Sequence, residues 1–263
     1  MRPNRLKAAL ASGETQVGSI LAQFRSPEIV RIYKAAGFDW VFVDTEHGGF
    51  DIETVQDVCR VATVSGLTPL VRVPDIQYAL VARALDCGAE GVIFPRVELP
   101  EVLERAVSWT KFPPAGTRGF GLTRMAVDYA QGSMPEIMQY ANENVLTVLQ
   151  IETVRAVEAR EELLAIDGID AVIVGPADLS ISLGVPGEFE HPTLVSAVES
   201  VIDTCVRRNI VPGIHLRVPR IARYWRERGM RLLSCSTDAT MLLERATDVL
   251  QEITRRTEAG SAG

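Results

Sequence analysis

From Gln16 onward the chain repeats one unit eight times: a short apolar run rich in β-branched residues, then a stretch with apolar residues at helical spacing. Runs of the first kind read as strands, and stretches of the second kind read as helices packed along one face. Strands are expected at Gln16 to Leu21, Trp40 to Asp44, Pro69 to Val73, Gly91 to Pro95, Val145 to Ile151, Ala171 to Val174, Val211 to Leu216 and Arg231 to Ser236. Helices fall between them, at Pro27 to Ala36, Ile52 to Ser65, Ile76 to Asp86, Pro100 to Trp109, Val154 to Ile166, Pro192 to Asn209, Pro219 to Gly229 and Thr240 to Thr257. Strand–helix–strand crossovers are right-handed and make parallel neighbours. Eight of them in about 250 residues is the arithmetic of an α/β (β/α)8 TIM barrel. A doubly wound sheet is the alternative, but no Gly-x-Gly-x-x-Gly follows an early strand. Residues 1–263 are therefore expected to form one barrel domain with a short N-terminal helix ahead of it and a polar tail, about 255–263, that frays.

One connection breaks the rhythm. Lys111 to Asn144 is far longer than an ordinary link between helix and strand, so it is expected to be functional or interfacial, reaching over a neighbouring subunit. Its Pro113-Pro114-Ala115-Gly116-Thr117-Arg118-Gly119 opening resembles no Walker loop, because no strand precedes it and no Lys-Ser/Thr follows. A short helix is expected from Met134 to Asn142.

Charge and apolar content narrow the partners. The net charge is −7 and the 24 arginines are scattered among acids, which argues against nucleic acid and anionic membranes. No apolar run reaches the roughly 18 residues of a spanning helix. No apolar stretch follows Met1-Arg2-Pro3-Asn4-Arg5 to serve as a signal peptide, so a cytoplasmic location is expected. Cys59, Cys87, Cys205 and Cys235 are too widely spaced for a Cys-x-x-Cys site and read as reduced core or helix-face residues.

In a barrel the chemistry sits on the C-terminal strand ends. There the sequence places Asp44-Thr45-Glu46-His47, Arg72, Pro95-Arg96, Gln150 with Glu152, Asp178 and His215. Barrel interiors favour Val, Ile and Leu, so this many polar groups on one rim is costly unless they serve chemistry. Glu152 and Asp178 end neighbouring strands and make half of an oxygen site for a hard divalent cation. They are equally suited to first-turn positions of the helices that follow, and spacing alone leaves both readings open. Taken one at a time, His47 fits a capping histidine, Arg72 an ion-pair partner, Gln150 a satisfied core amide and His215 a structural residue. Together they offer a metal site, a proton-exchanging imidazole and a cation for an oxyanion. Only Lys7, Lys34 and Lys111 exist and none falls on a strand end, which disfavours imine chemistry. The loops after the last two strands lack the glycines that bind phosphate in barrels, which disfavours phosphorylated substrates.

The series Val43-Asp44-Thr45-Glu46-His47, Val71-Arg72-Val73-Pro74, Pro113-Pro114-Ala115-Gly116-Thr117-Arg118-Gly119, Gln150-Ile151-Glu152-Thr153 and Gly175-Pro176-Ala177-Asp178-Leu179-Ser180 resembles the HpcH/HpaI family of metal-dependent (class II) pyruvate aldolases. That family acts on 4-hydroxy-2-oxoheptanedioate and on 2-keto-3-deoxy sugar acids. The likeness runs in order from about Leu6 to about Leu250, and five motifs together are far more specific than any one. It implies a lyase that reversibly cleaves a 4-hydroxy-2-oxo acid to an aldehyde and pyruvate, or a close 2-oxo acid such as hydroxypyruvate. It also implies Glu152 and Asp178 as ligands of Mg²⁺, Mn²⁺ or Co²⁺, with Gln150 and Ala177 contacting pyruvate. Arg72 then steadies the enolate, and His47 moves the proton with its basicity raised by Asp86. The assembly it implies is a homohexamer, a trimer of dimers with exchanged last helices. Asp86 ends a helix that runs back from the rim by about 15 to 18 Å at 1.5 Å per residue, so it is expected to reach His47 only from another subunit, making the site interfacial.

His215 departs from the pattern, standing where an apolar residue is expected beside the aldehyde. It suggests an altered, more polar or smaller acceptor pocket while pyruvate handling is kept. Two other readings remain at this stage: a related barrel lyase acting on a malyl- or citramalyl-type CoA thioester, and a non-catalytic 2-oxo-acid binding protein.

Overall fold

The computed structural model describes residues 2–121, 127 and 129–254; the tail expected to fray lies outside the described residues. Eight parallel strands close on themselves in chain order: β1 Gln16–Leu21, β2 Trp40–Asp44, β3 Thr68–Arg72, β4 Gly91–Phe94, β5 Leu146–Ile151, β6 Ala171–Val174, β7 Gly213–Leu216 and β8 Leu232–Thr237. The barrel expected from the eightfold alternation is the fold observed.

Two apolar layers hold it. Alternate strand residues point inward, so Ile20, Phe42, Leu70, Ile93, Val148 and Ile173 fill the barrel. The helix Arg5–Ala11 closes the N-terminal end by setting Leu6 and Leu10 into that same inner core. Asn4 fixes this plug: its side chain accepts from Lys7 N at 3.0 Å and donates to Glu90 O at 3.0 Å and Asn144 O at 2.9 Å. The intervening strand residues face outward and pack against the helices, among them Val41, Val43, Val71, Val92, Leu149 and Val172. Trp40 is fully buried inside the barrel, and Gly18 on β1 makes room for it, since a Cβ there would lie 2.5 Å from the indole.

The structure departs from the sequence reading at three elements. The crossover read as one helix, Val154 to Ile166, is two short ones, Val154–Glu158 and Arg160–Leu163, because Ala159 leaves helical geometry at φ −80°, ψ 3°. β7 begins at Gly213 because Pro212 has no N–H for the ladder; Val211 keeps an isolated bridge to Ala171. A helix missing from the sequence reading, Pro176–Ser182, opens just after β6 with proline at its first position and Asp178 in its first turn. The long segment before β5 packs, in its described parts, on its own barrel. Arg118 pairs with Asp86 at 2.7 Å and lies 4.7 Å over the Phe112 ring, while Gly119 N donates to the Tyr78 hydroxyl. The helix Met134–Asn144 then leads into β5.

Candidate active site at the barrel mouth

Side chains at the C-terminal strand ends line a cavity of about 760 Å³. His47, Arg72, Gln150, Ala177, Asp178 and His215 all face it. Glu152 lies immediately behind, its carboxylate bonded to the Gln150 amide. Asp86 does not line the cavity; it sits at the far end of the helix Tyr78–Asp86, held by Arg118. None of the three lysines lines it. A smaller hollow of about 270 Å³, beside Arg5, Arg60 and Glu90, contains none of the expected site residues.

Register explains the first cluster. Asp44 is the direct neighbour of Arg72 across β2 and β3. The two form a bidentate pair, with Arg72 Nε 3.0 Å from Asp44 Oδ1 and Nη2 2.6 Å from Oδ2, and both side chains are buried. Asp44 Oδ1 also accepts from the backbone N–H of Glu46 and His47, which folds the loop back over the strand end. Glu46 adds a second carboxylate, with Oε2 3.1 Å from Arg72 Nη1 and Oε1 accepting from Arg96 Nε at 2.9 Å. The His47 ring is exposed at the mouth, its Nε2 3.9 Å from Glu46 Oε2.

The second cluster comes from β5 and β6. Glu152 is 2% exposed, and burial, first of all, pushes its carboxyl above the usual carboxylate range, with Gln150 opposing and Glu46 and Asp178 adding to the rise. Its Oε1 accepts the backbone N–H of Arg96 at 3.0 Å. Arg96 can present that N–H because it adopts φ 55°, an uncommon conformation for arginine. Gln150 donates through Nε2 to Glu152, which leaves its buried Oε1 without a hydrogen-bond partner. Gly175 lets the next loop come close: a Cβ there would stand 3.0 Å from the Glu152 carboxylate. Among the described residues no group of three or more His, Cys, Asp or Glu side chains is placed to hold a metal; the acids whose charge bears on Glu152 are Glu46 and Asp178.

His215 is on the third side. Its Nδ1 bonds Ser234 Oγ at 2.9 Å and its ring meets the edge of Phe42. Burial, reinforced by Arg72 and Arg217, pushes its pKa down to about 4, so the ring is neutral at pH 7.

Four residues that matter here carry no assigned role in the sequence reading. Asp44 and Glu46 were noted only as strand-end acids; that Asp44 faces Arg72 depends on the register between β2 and β3, which the sequence alone does not give. Asp238, which follows β8, is 2% exposed and accepts from the backbone N–H of Ala22 at 3.4 Å, Gln23 at 2.9 Å and Phe24 at 2.7 Å. It fixes the loop after β1 against the cavity. The Thr237-Asp238 sequence at a strand end was the signal, read only for phosphate binding. Arg96 gave no signal, since nothing about an arginine announces a positive φ.

Comparison with known proteins places this geometry. Residues 21–244 match the family model described as HpcH/HpaI aldolase/citrate lyase. A 2-dehydro-3,6-dideoxy-6-sulfogluconate aldolase from Pseudomonas putida is 35% identical over 215 residues, spanning 82% of this chain and 84% of the relative. A hydroxypyruvate/pyruvate aldolase from Sagittula stellata is 30% identical over 239 residues, spanning 91% of this chain and 93% of the relative. The crystal structure of an HpcH/HpaI aldolase from Desulfitobacterium hafniense superposes with a TM-score of 0.91 at 35% identity, over 97% of this chain and 98% of that one.

Proposed function

The chain belongs to the HpcH/HpaI aldolase/citrate lyase family, and on that premise we propose that it reversibly cleaves a 4-hydroxy-2-oxo acid to an aldehyde and pyruvate, or a close 2-oxo acid such as hydroxypyruvate. The observation that carries this reading is the convergence of Glu152, Asp178 and the unpaired Gln150 Oε1 with a braced Arg72 at one cavity. A buried carboxylate beside a second carboxylate is a poor arrangement without a cation. The two acids therefore fit a hard divalent ion, and two protein ligands leave positions for substrate oxygens. Glu152 and Asp178 would hold Mg²⁺, Mn²⁺ or Co²⁺, which when bound supplies a Lewis acid that polarises the keto group.

The chain's own groups do the rest. In the cleavage direction His47, at the mouth, takes the proton of the 4-hydroxyl. The bond between C3 and C4 breaks, the aldehyde leaves, and the electron pair remains on the three-carbon fragment as an enolate. Arg72, held rigid by Asp44 and Glu46, puts a fixed positive charge where that negative charge develops, which needs no reorganisation at the moment of reaction. Protonation of the enolate carbon gives pyruvate. Gln150 and the Ala177 backbone region wall the 2-oxo-acid end of the cavity.

We extend the reading to assembly. The helix Asp238–Thr254 leaves Leu242, Leu243, Leu250 and Ile253 exposed, and an exchanged last helix in a trimer of dimers would cover them. Pairing of His47 with an Asp86 would require Asp86 of the partner subunit. Sedimentation velocity reads the assembly, and a monomer would refute it.

The decisive test is exchange of pyruvate methyl protons in deuterium oxide, together with cleavage, with and without EDTA, and with metal content measured for Glu152→Ala and Asp178→Ala. Chelation should abolish both reactions and Mg²⁺ or Mn²⁺ restore them, while each variant loses both metal and turnover. Undiminished, EDTA-resistant activity in either variant would overturn the mechanism.

A further inference from the structure

The two polar clusters of the barrel mouth meet at one residue. β4 ends at Phe94, and Arg96 then turns to φ 55°, a left-handed backbone that strains residues bearing a Cβ and that glycine adopts freely. Its backbone N–H donates to Glu152 Oε1 at 3.0 Å, and its side-chain Nε donates to Glu46 Oε1 at 2.9 Å. Among the described residues no other hydrogen bond or ion pair links the group Asp44, Glu46 and Arg72 to the group Gln150, Glu152 and Asp178.

Each end of this bridge bears on a group that the proposed reaction uses. Glu152 is buried and the amide fixes one of its two carboxylate oxygens, the kind of contact that orients a metal ligand. Glu46 is shared between two arginines: Oε1 is held by Arg96, while Oε2 lies 3.1 Å from Arg72 Nη1 and has no hydrogen-bond partner. Asp44 already takes two of the Arg72 N–H groups. With Arg96 gone, Glu46 would pair more fully with Arg72, and a guanidinium closed by two carboxylates has less charge to offer an enolate. Strained backbone persists only where its surroundings hold it. The Arg96 side chain is 58% exposed, so packing does not hold this turn; its bond to Glu46 does.

Resting on the aldolase reading, we infer that Arg96 is a positioning residue for both halves of the site. Its amide sets Glu152 for the divalent ion, and its guanidinium restrains Glu46 so that Arg72 keeps positive charge for the enolate.

The test separates main chain from side chain. Arg96→Gly removes the guanidinium but leaves an unstrained turn, so the amide stays on Glu152. Arg96→Ala removes the guanidinium and leaves a strained turn with nothing to hold it, so the backbone relaxes and the amide departs. Arg96→Lys keeps a charge. Mn²⁺ affinity of the metal-free proteins, read by electron paramagnetic resonance, reports on the amide; kcat for deuterium exchange into pyruvate at saturating Mn²⁺ reports on the guanidinium. Arg96→Gly should bind Mn²⁺ within about twofold of the wild type, whereas Arg96→Ala should bind about tenfold more weakly or worse. In both, kcat should fall by about tenfold or more, the scale of a hydrogen bond to a charged group, and Arg96→Lys should recover part of it. In a Glu46→Gln background Arg96→Gly should lower kcat no further, because it acts through Glu46. Wild-type Mn²⁺ affinity in Arg96→Ala would overturn the role of the amide. Wild-type kcat in Arg96→Gly, or an undiminished loss in the Glu46→Gln background, would overturn that of the guanidinium. A wild type that binds Mn²⁺ without catalysing exchange would overturn the aldolase reading and the guanidinium's role with it, while the affinities still decide the amide's; a wild type that binds no Mn²⁺ would overturn both roles.

Discussion

Arg72 shows how far a single side chain depends on its neighbours. Three of its contacts are to carboxylates, and the flat fork of the guanidinium is what lets it meet Asp44 through two parallel bonds. Lysine offers a point charge on a flexible stem and cannot reproduce that pairing. Arg72→Lys should therefore lower kcat by roughly a hundredfold or more, the scale of losing one oxyanion donor; a loss under threefold would reduce Arg72 to a strut. His215 carries a pH signature. Its folded pKa is held near 4 against an ordinary value of 6.5. Its share of stability is thus present above pH 6.5 and drains away as pH falls towards 4, because the unfolded chain takes up a proton that the folded one refuses. Between pH 7 and pH 5 the wild type should lose about 2 kcal/mol more than His215→Gln in denaturant titrations, and parallel pH profiles would contradict this. Much of the site at this scale was legible in the sequence, since Arg72, Gln150, Glu152 and His215 stand at or beside the C-terminal ends of apolar strands and Asp178 stands in the first turn of the helix that follows β6. The pairing of Asp44 with Arg72 was not, because a single sequence does not print the register between two strands. Nor was the amide that Arg96 turns towards Glu152.

At the scale of elements, the loop after β1 is the part most dependent on one residue. Asp238 accepts three consecutive backbone N–H groups from a strand exit that would otherwise leave them unpaired. Asp238→Ala should cost at least about 2 kcal/mol in stability. It should also raise KM for the aldehyde, because Gln23 and Phe24 wall that side of the cavity. Thermal unfolding together with steady-state kinetics checks both, and a variant matching the wild type in each would show that the loop holds itself. The strands were easy to read because a barrel interior tolerates little but branched apolar residues, and they fell within a residue or two of their observed ends. Elements shaped by local backbone events were harder: the break at Ala159, the late start of β7 after Pro212, and the short helix at Pro176–Ser182 that looks like a turn when judged by length alone.

For the molecule as a whole, the eightfold alternation was decisive, because the count of strands and the handedness of their crossovers leave few closed arrangements. What the alternation could not convey is how the two ends of the barrel differ. One end is open and polar; the other is stoppered by the helix Arg5–Ala11, with Leu6 and Leu10 seated in the inner core. Under the proposed reaction this gives the cavity a single doorway, so traffic through it has to queue. The 2-oxo acid, seated by Gln150 and Glu152, sits behind the aldehyde, which lies nearer the mouth. In cleavage the aldehyde must step out first and pyruvate last; in synthesis pyruvate must enter first. Pyruvate should then compete directly with the cleavage substrate for the empty enzyme, while the aldehyde should not, and product-inhibition patterns that reverse or lose that order would mean a second way in.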